Sequence, residues 1–283
     1  MPAPLSPAVT RLCTTGDPGA WDAPWPDYPA EYDLTRDDVP ALLDMALDAT
    51  PHHEGDPAVW APLHAWRALG ELGAPEAAEP MTGLLARVAG PDQDDDWALT
   101  ELPRVLAMLG LPALAPVQQL LNDATLDSLV RGAAAETLGW LAAETPEARA
   151  ATVAALTDLL ARSDTDPEMA AFTISALIRA GAVEAAPAIE TAFAADRVEW
   201  SINGDWEDVQ LALGLITERR TPRPRYLPPA LDALSAFDSE RSGESLPPNP
   251  DVGTAAERAR VRAKTKSKRK AAARARQANR RKR

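Results

Sequence analysis

The chain has 283 residues, enough for one or two domains, and its 46% apolar content can bury a core; aromatics make up only 5%, mostly eight Trp, and Ala and Leu outnumber the β-formers, which argues against β-structure. The single Cys13 excludes a disulfide framework and a Cys-based zinc site, and the lack of a basic start with an apolar run, or of any apolar stretch near about 18 residues, predicts a cytoplasmic protein with no signal peptide and no membrane span. The net charge of −13 is split: residues 258–283 hold 14 Lys or Arg and no acid, which leaves 15 basic against 42 acidic residues in 1–257, a body charge of −27 joined to a cationic tail.

Residues 1–31 are rich in Pro, Gly and Trp and show no period, so they predict an extended arm anchored by Trp21, Trp25 and Tyr28. Thr35-Arg36-Asp37-Asp38 has the form of a capping box with Asp in place of Glu, and Pro40 suits the first turn of the helix that follows. From there the chain reads as five helical hairpins, with second helices over roughly 57–72, 97–109, 127–142, 167–180 and 206–218. Leu129, Val130, Ala133, Ala134, Thr137, Leu138 and Leu141 give the clearest apolar stripe. Gly73, Gly110 and Gly181 stand where a left-handed C-terminal cap is wanted. An Asp precedes each second helix: Asp56, Asp96, Asp127, Asp166 and Asp205, at spacings of 40, 31, 39 and 39 residues. A carboxylate there satisfies orphan backbone N–H groups and the positive end of the helix dipole, worth about 0.5–2 kcal/mol. Aligned along one edge of a stack, the five caps also add up to an acidic ridge.

A unit recurs in this body. Leu69-Gly70-Glu71-Leu72-Gly73-Ala74-Pro75, Leu109-Gly110-Leu111-Pro112 and Ala180-Gly181-Ala182-Val183 each end one helix and open an Ala-rich one; Pro80 and Pro116 lie 36 residues apart, and Pro116 and Pro187 lie 71 apart, near two periods. A helical period of this size means an all-α solenoid. The expected organisation is an arm over 1–31, a solenoid over 32–220, a Pro-rich linker over 221–256 with a short helix near 230–237, and a disordered basic tail over 257–283.

The Leu-Gly-x-Pro-x-Ala-x-x-Pro consensus resembles HEAT repeats of the phycobilisome-lyase type over about residues 36–218. Tyr32-Asp33-Leu34-Thr35, Trp60-Ala61-Pro62-Leu63-His64-Ala65-Trp66-Arg67-Ala68-Leu69 and Gly204-Asp205-Trp206-Glu207-Asp208-Val209 resemble an uncharacterised bacterial family of HEAT-like proteins. Some members of that family end in a Cys-rich SEC-C zinc motif; this chain has no Cys there, so no zinc role is carried over. The resemblance implies a fold and a bacterial setting and no activity.

No catalytic motif is present. His52, His53 and His64 fit no metal-ligand spacing and predict surface or packing roles, and Pro91-Asp92-Gln93-Asp94-Asp95-Asp96 lacks the Gly and distal Glu of a calcium loop. HEAT-like glycosylases use a basic face with Trp and Asp; Trp97, Trp140 and Trp206 are present, but a body of −27 without Lys should repel DNA. No cofactor is expected.

Two functions follow. Trp97 with Asp96, and Trp200 with Asp205, Trp206 and Asp208, place aromatic rings beside carboxylates, which suits a basic or amphipathic protein segment and points to a non-enzymatic adaptor. The plainer reading of the second group is a capped helix start with Trp206 packed on the previous repeat. The alternative function is RNA or ribosome attachment through Lys264, Lys266, Lys268, Arg269, Lys270, Arg280 and Arg281, by sequence-independent contact with phosphate. A solubility tail, or a tail docked on the acidic body, are the remaining readings of that segment.

Overall fold

A computed structural model describes residues 5–19, 24–48, 56–90, 93–94 and 96–223. They belong to the first of two compact units, Met1–Arg225. The linker beyond Arg223, the basic tail with its seven named cations, Trp21, His52 and His53 lie outside the described residues.

The chain order is α1 (Pro7–Thr15), α2 (Tyr28–Tyr32), α3 (Val39–Ala46), α4 (Ala61–Glu71), α5 (Ala78–Leu85), β1 (Ala89–Gly90), β2 (Gln93–Asp94), α6 (Asp96–Met108), α7 (Leu111–Asn122), α8 (Ser128–Glu144), α9 (Pro146–Ala161), α10 (Pro167–Arg179), α11 (Ala186–Ala194), α12 (Trp200–Asn203) and α13 (Trp206–Ala212). Helices α4, α6, α8, α10 and α12 pack on one another in series, and α5, α7, α9 and α11 form a second row behind them. The hairpins α5–α6, α7–α8 and α9–α10 each give one helix to each row, and the solenoid architecture expected from the period is the one found. Apolar residues of both rows form one continuous core, from Val9 and Leu12 through Leu69, Leu102, Leu138 and Leu177 to Val209.

The Asp caps act as the sequence implied. Asp127 accepts from Leu129 N–H at 2.8 Å, Asp166 from Glu168 and Met169 N–H at 2.9 and 3.0 Å, and Asp205 from Asp208 N–H at 3.0 Å. Asp56 accepts from Ala58 N–H at 2.9 Å and opens a 3₁₀ turn, Pro57–Trp60, that runs into α4. Asp96 is the first residue of α6, and its side chain is not among those described.

Five local expectations differ. The arm is not wholly extended: Ser6 Oγ accepts from Val9 N–H at 3.2 Å and Pro7 fits the first turn, so α1 forms and buries Val9 and Leu12. The first repeat helix begins with a 3₁₀ turn, Arg36–Asp38, before α3. The two-residue β1 and β2 pair antiparallel where β-structure was not expected, β1 just before the acidic loop and β2 within it. Gly73 and Gly181 take left-handed φ values of 57° and 58°, but Gly110 has φ 73° with ψ −146°, a conformation open only to glycine, and leads directly into α7. The last second helix stops at Ala212 rather than 218, because Gly214 at φ 71° turns the chain back and lets Arg219 meet the start of α13.

Candidate functional site

The residues singled out in the sequence fall in two places. Trp97, in α6, stacks edge-on against Trp60 with ring centroids 5.3 Å apart, in the first half of the solenoid. Trp200, Asp205, Trp206 and Asp208 are brought together at its C-terminal end.

At that end the acids are already neutralised within the chain. Arg219 forks onto Asp205 with N–O distances of 2.8 and 2.6 Å and reaches Asp208 at 2.8 Å, while Arg223 pairs with Asp208 at 2.8 Å. Asp208 closes a capping box by accepting from Asp205 N–H at 3.3 Å, and Glu207 accepts from the N–H of Arg220 and Thr221 at 3.2 and 3.0 Å. The Arg219 guanidinium holds the Asp205 carboxyl below the usual carboxylate range. Asp205 and Asp208 thus serve first as the buckle that closes the last turn. Trp206 leans on Phe193 of α11 at 6.1 Å.

Beside the buckle lies an open pocket of about 270 Å³ lined by Phe193, Asp196, Val198, Trp200 and Asp205. Local chemistry builds it. Asp196 adopts a left-handed φ of 52° and ends α11, a conformation Asp tolerates better than most side chains. Glu199 caps α12 through Ser201 N–H at 3.1 Å, which sets Trp200 at the rim. Asn203 donates to Ala171 O at 2.7 Å and accepts from Ser175 Oγ at 2.7 Å, pinning α12 to α10. Asp196 is exposed and, among the described residues, enters no ion pair. Asp196 and Phe193 were not legible as site residues, since neither belongs to a motif.

A second arrangement, also unforeseen as a site, runs along the first row. Trp25 lies 4.8 Å from Arg67 Cζ and 5.3 Å from Arg104 Cζ; Trp140 lies 5.2 Å from Arg104 Cζ and 3.9 Å from Arg179 Cζ. The one available signal was spacing: positions 67, 104, 140 and 179 are 37, 36 and 39 residues apart, in step with the repeat. Arg67 and Glu101 are both 2% exposed and form a bidentate pair at 3.1 and 2.7 Å. A buried pair survives desolvation only with such geometry.

Beneath Trp25 the arm is locked to α4 by a buried chain. His64 Nε2 meets Gly16 O at 2.7 Å, so that nitrogen carries the proton, and Tyr28 O–H donates to Nδ1 at 2.7 Å. Burial lowers the His64 pKa, with Arg67 adding to the effect, and pushes the Tyr28 phenol up to about 12. His64 is therefore a packing residue, as expected. Among the described residues no three His, Cys, Asp or Glu side chains gather as a metal site requires, and no helix is long and apolar enough to cross a membrane.

Residues 94–223 match the model of a family described as protein of unknown function, DUF1186. That stretch is a little under half of the chain; it takes in α6 to α13, the pocket, Arg104, Trp140 and Arg179, and leaves out Trp25 and Arg67. No curated protein and no solved structure matches the chain.

Proposed function

We propose that the chain is a non-enzymatic scaffold of bacterial HEAT-like type that works in the cytoplasm and captures a basic or amphipathic protein segment in the pocket at the C-terminal end of the solenoid. The observation that carries this reading is the pairing, in one pocket, of Phe193 and Trp200 with the exposed carboxylate of Asp196. Aromatic faces and an anion together suit a cationic side chain, whose apolar stem lies on the rings while its head meets the acid. The body charge of −27 adds long-range attraction for a basic partner. Asp205 supports the pocket wall rather than supplying free charge, because Arg219 already holds it.

The test is binding of a short labelled peptide of alternating Lys and Leu. Asp196→Lys should weaken it about tenfold or more, as loss of a charge-assisted contact does. Glu79→Lys, the same charge change on the exposed face of α5, should cost far less. Equal effects of the two would mean that only overall charge attracts the peptide, and the pocket would lose its role.

A second reading, attachment to RNA through the tail, rests on the 14 cations within residues 258–283. It concerns a different part of the chain and does not compete for the pocket.

A further inference from the structure

The row of Arg and Trp across α4, α6, α8 and α10 is not used by the pocket. In order, Arg67, Trp25, Arg104, Trp140 and Arg179 alternate, so the Arg104 Cζ lies over two indole rings, 5.3 and 5.2 Å from their centroids. A cation–π contact uses the charge of a guanidinium and leaves N–H donors for another partner. The three cations differ in what they have left to give. Arg67 is buried and committed to Glu101. Arg179 faces Glu136 at 3.4 Å, a long contact between half-exposed groups. Arg104 is exposed and, among the described residues, has no ion pair. A cation set against two rings has little rotamer freedom to lose when it binds, so it is pre-organised for a planar anion.

The nature of the anion follows from the surroundings. The body carries −27 and no Lys, so a polyanion such as nucleic acid meets repulsion over most of the surface. One carboxylate needs only the local fork. The row runs across successive helices, α4, α6, α8 and α10, so it fits an extended segment laid along it. We propose that the stack is a carboxylate-reading site for a protein segment: Arg104, with Arg179 beside it, receives an Asp or Glu side chain, and Trp25 and Trp140 cover the apolar residues flanking it. The site shares no residue with the C-terminal pocket and stands or falls separately.

The experiment measures fluorescence anisotropy of a labelled peptide with a single Glu flanked by Leu (Glu–Leu), and of its counterpart with Gln in place of Glu (Gln–Leu), against the full chain and its Arg104→Ala and Arg104→Lys variants. The basic tail also attracts acidic peptide, so the difference between proteins is the readout. Arg104→Ala should lower Glu–Leu affinity about tenfold or more, Arg104→Lys should restore little of it because an ammonium lacks the planar fork, and Gln–Leu binding should not respond. Arg104 is exposed, so both variants should keep the helical circular dichroism of the parent; Trp140→Leu supplies an independent second variant with the same expected loss. Unchanged Glu–Leu affinity in Arg104→Ala, or full rescue by Lys, overturns the proposal. So does an RNA oligonucleotide whose binding falls more than the peptide's on Arg104→Ala, which would reassign the stack to phosphate.

Discussion

At the residue scale the fold depends on a few side chains whose size is fixed by a neighbour. Gly139 on α8 meets the backbone of α10 so closely that an added Cβ would stand 2.8 Å from Ala176 O and 2.9 Å from Ala176 Cα. Backbone cannot swing away as a side-chain tip can, so the two helices must separate to admit a methyl group. Gly132, two turns earlier, is different: its neighbour there is the half-buried side chain of Phe172 rather than backbone. Gly139→Ala should therefore cost about 1–3 kcal/mol, as overpacking does, and Gly132→Ala less. Urea unfolding of the two variants checks this; if Gly132→Ala were the more costly, the α8–α10 contact would not be set by backbone approach at Gly139. The same scale explains what could be read beforehand. The Asp caps were legible because capping is local: one carboxylate and the N–H groups two or three residues on. Asp196 was not, because its value lies in having Phe193 and Trp200 around one pocket.

Elements add a second kind of dependence. The second helices could be placed from their apolar stripes, but α1 was not foreseen, because nine residues with one Ser cap form a helix only when something buries Val9 and Leu12. What holds that arm is the chain Gly16 O, His64, Tyr28, and the N–H of Tyr28 donating to Glu71 at 2.7 Å. Burial disfavours the charged form of His64, a second ring proton would deprive the Tyr28 O–H of its acceptor, and Arg67 is close by. The folded pKa of His64 is thus depressed while the unfolded value stays near about 6.5. The sign follows: above that value both states are neutral and the contribution is intact; as pH falls below it, the unfolded chain takes up a proton that the folded chain resists, and stability drops by at most about 1.4 kcal/mol per pH unit until the folded pKa is passed. The urea midpoint should fall between about pH 7.5 and about pH 5.5 in the parent and fall less in His64→Gln. Glu71, whose carboxyl burial raises, acts in the opposite direction nearer its own range, and it is present in both proteins. Identical pH profiles would show that His64 does not sense the arm.

For the whole molecule, the repeat specified the architecture, while the ends were hidden from it. Terminal units of a solenoid have a neighbour on one side only and need their own closure. Here the first is covered by α1 and α2, and the last by the return of the chain from Gly214 to Arg219. The Arg–Trp stack was hidden for a related reason: its members share a register, yet each repeat contributes a different residue, so no motif recurs. Charge is the other property of the whole chain, and it separates the two proposed functions. All five Lys lie among residues 258–283, whereas the solenoid meets solvent with an excess of acid. If the tail grips RNA, each cation engaged displaces a counterion. With about seven contacts on a single strand, affinity should fall about 10³-fold between about 50 and about 200 mM salt. Changing all 14 Lys and Arg of residues 258–283 to Gln in the full chain, Lys264, Lys266, Lys268, Arg269, Lys270, Arg280 and Arg281 among them, should abolish retention of RNA on a filter while leaving Lys–Leu peptide binding at the Asp196 pocket in place. Retention that survives this change, or that ignores salt, would take RNA away from the tail. Loss of peptide binding along with RNA would mean that neither ligand reports its own site, and the division of labour between acidic solenoid and basic tail would have to be given up.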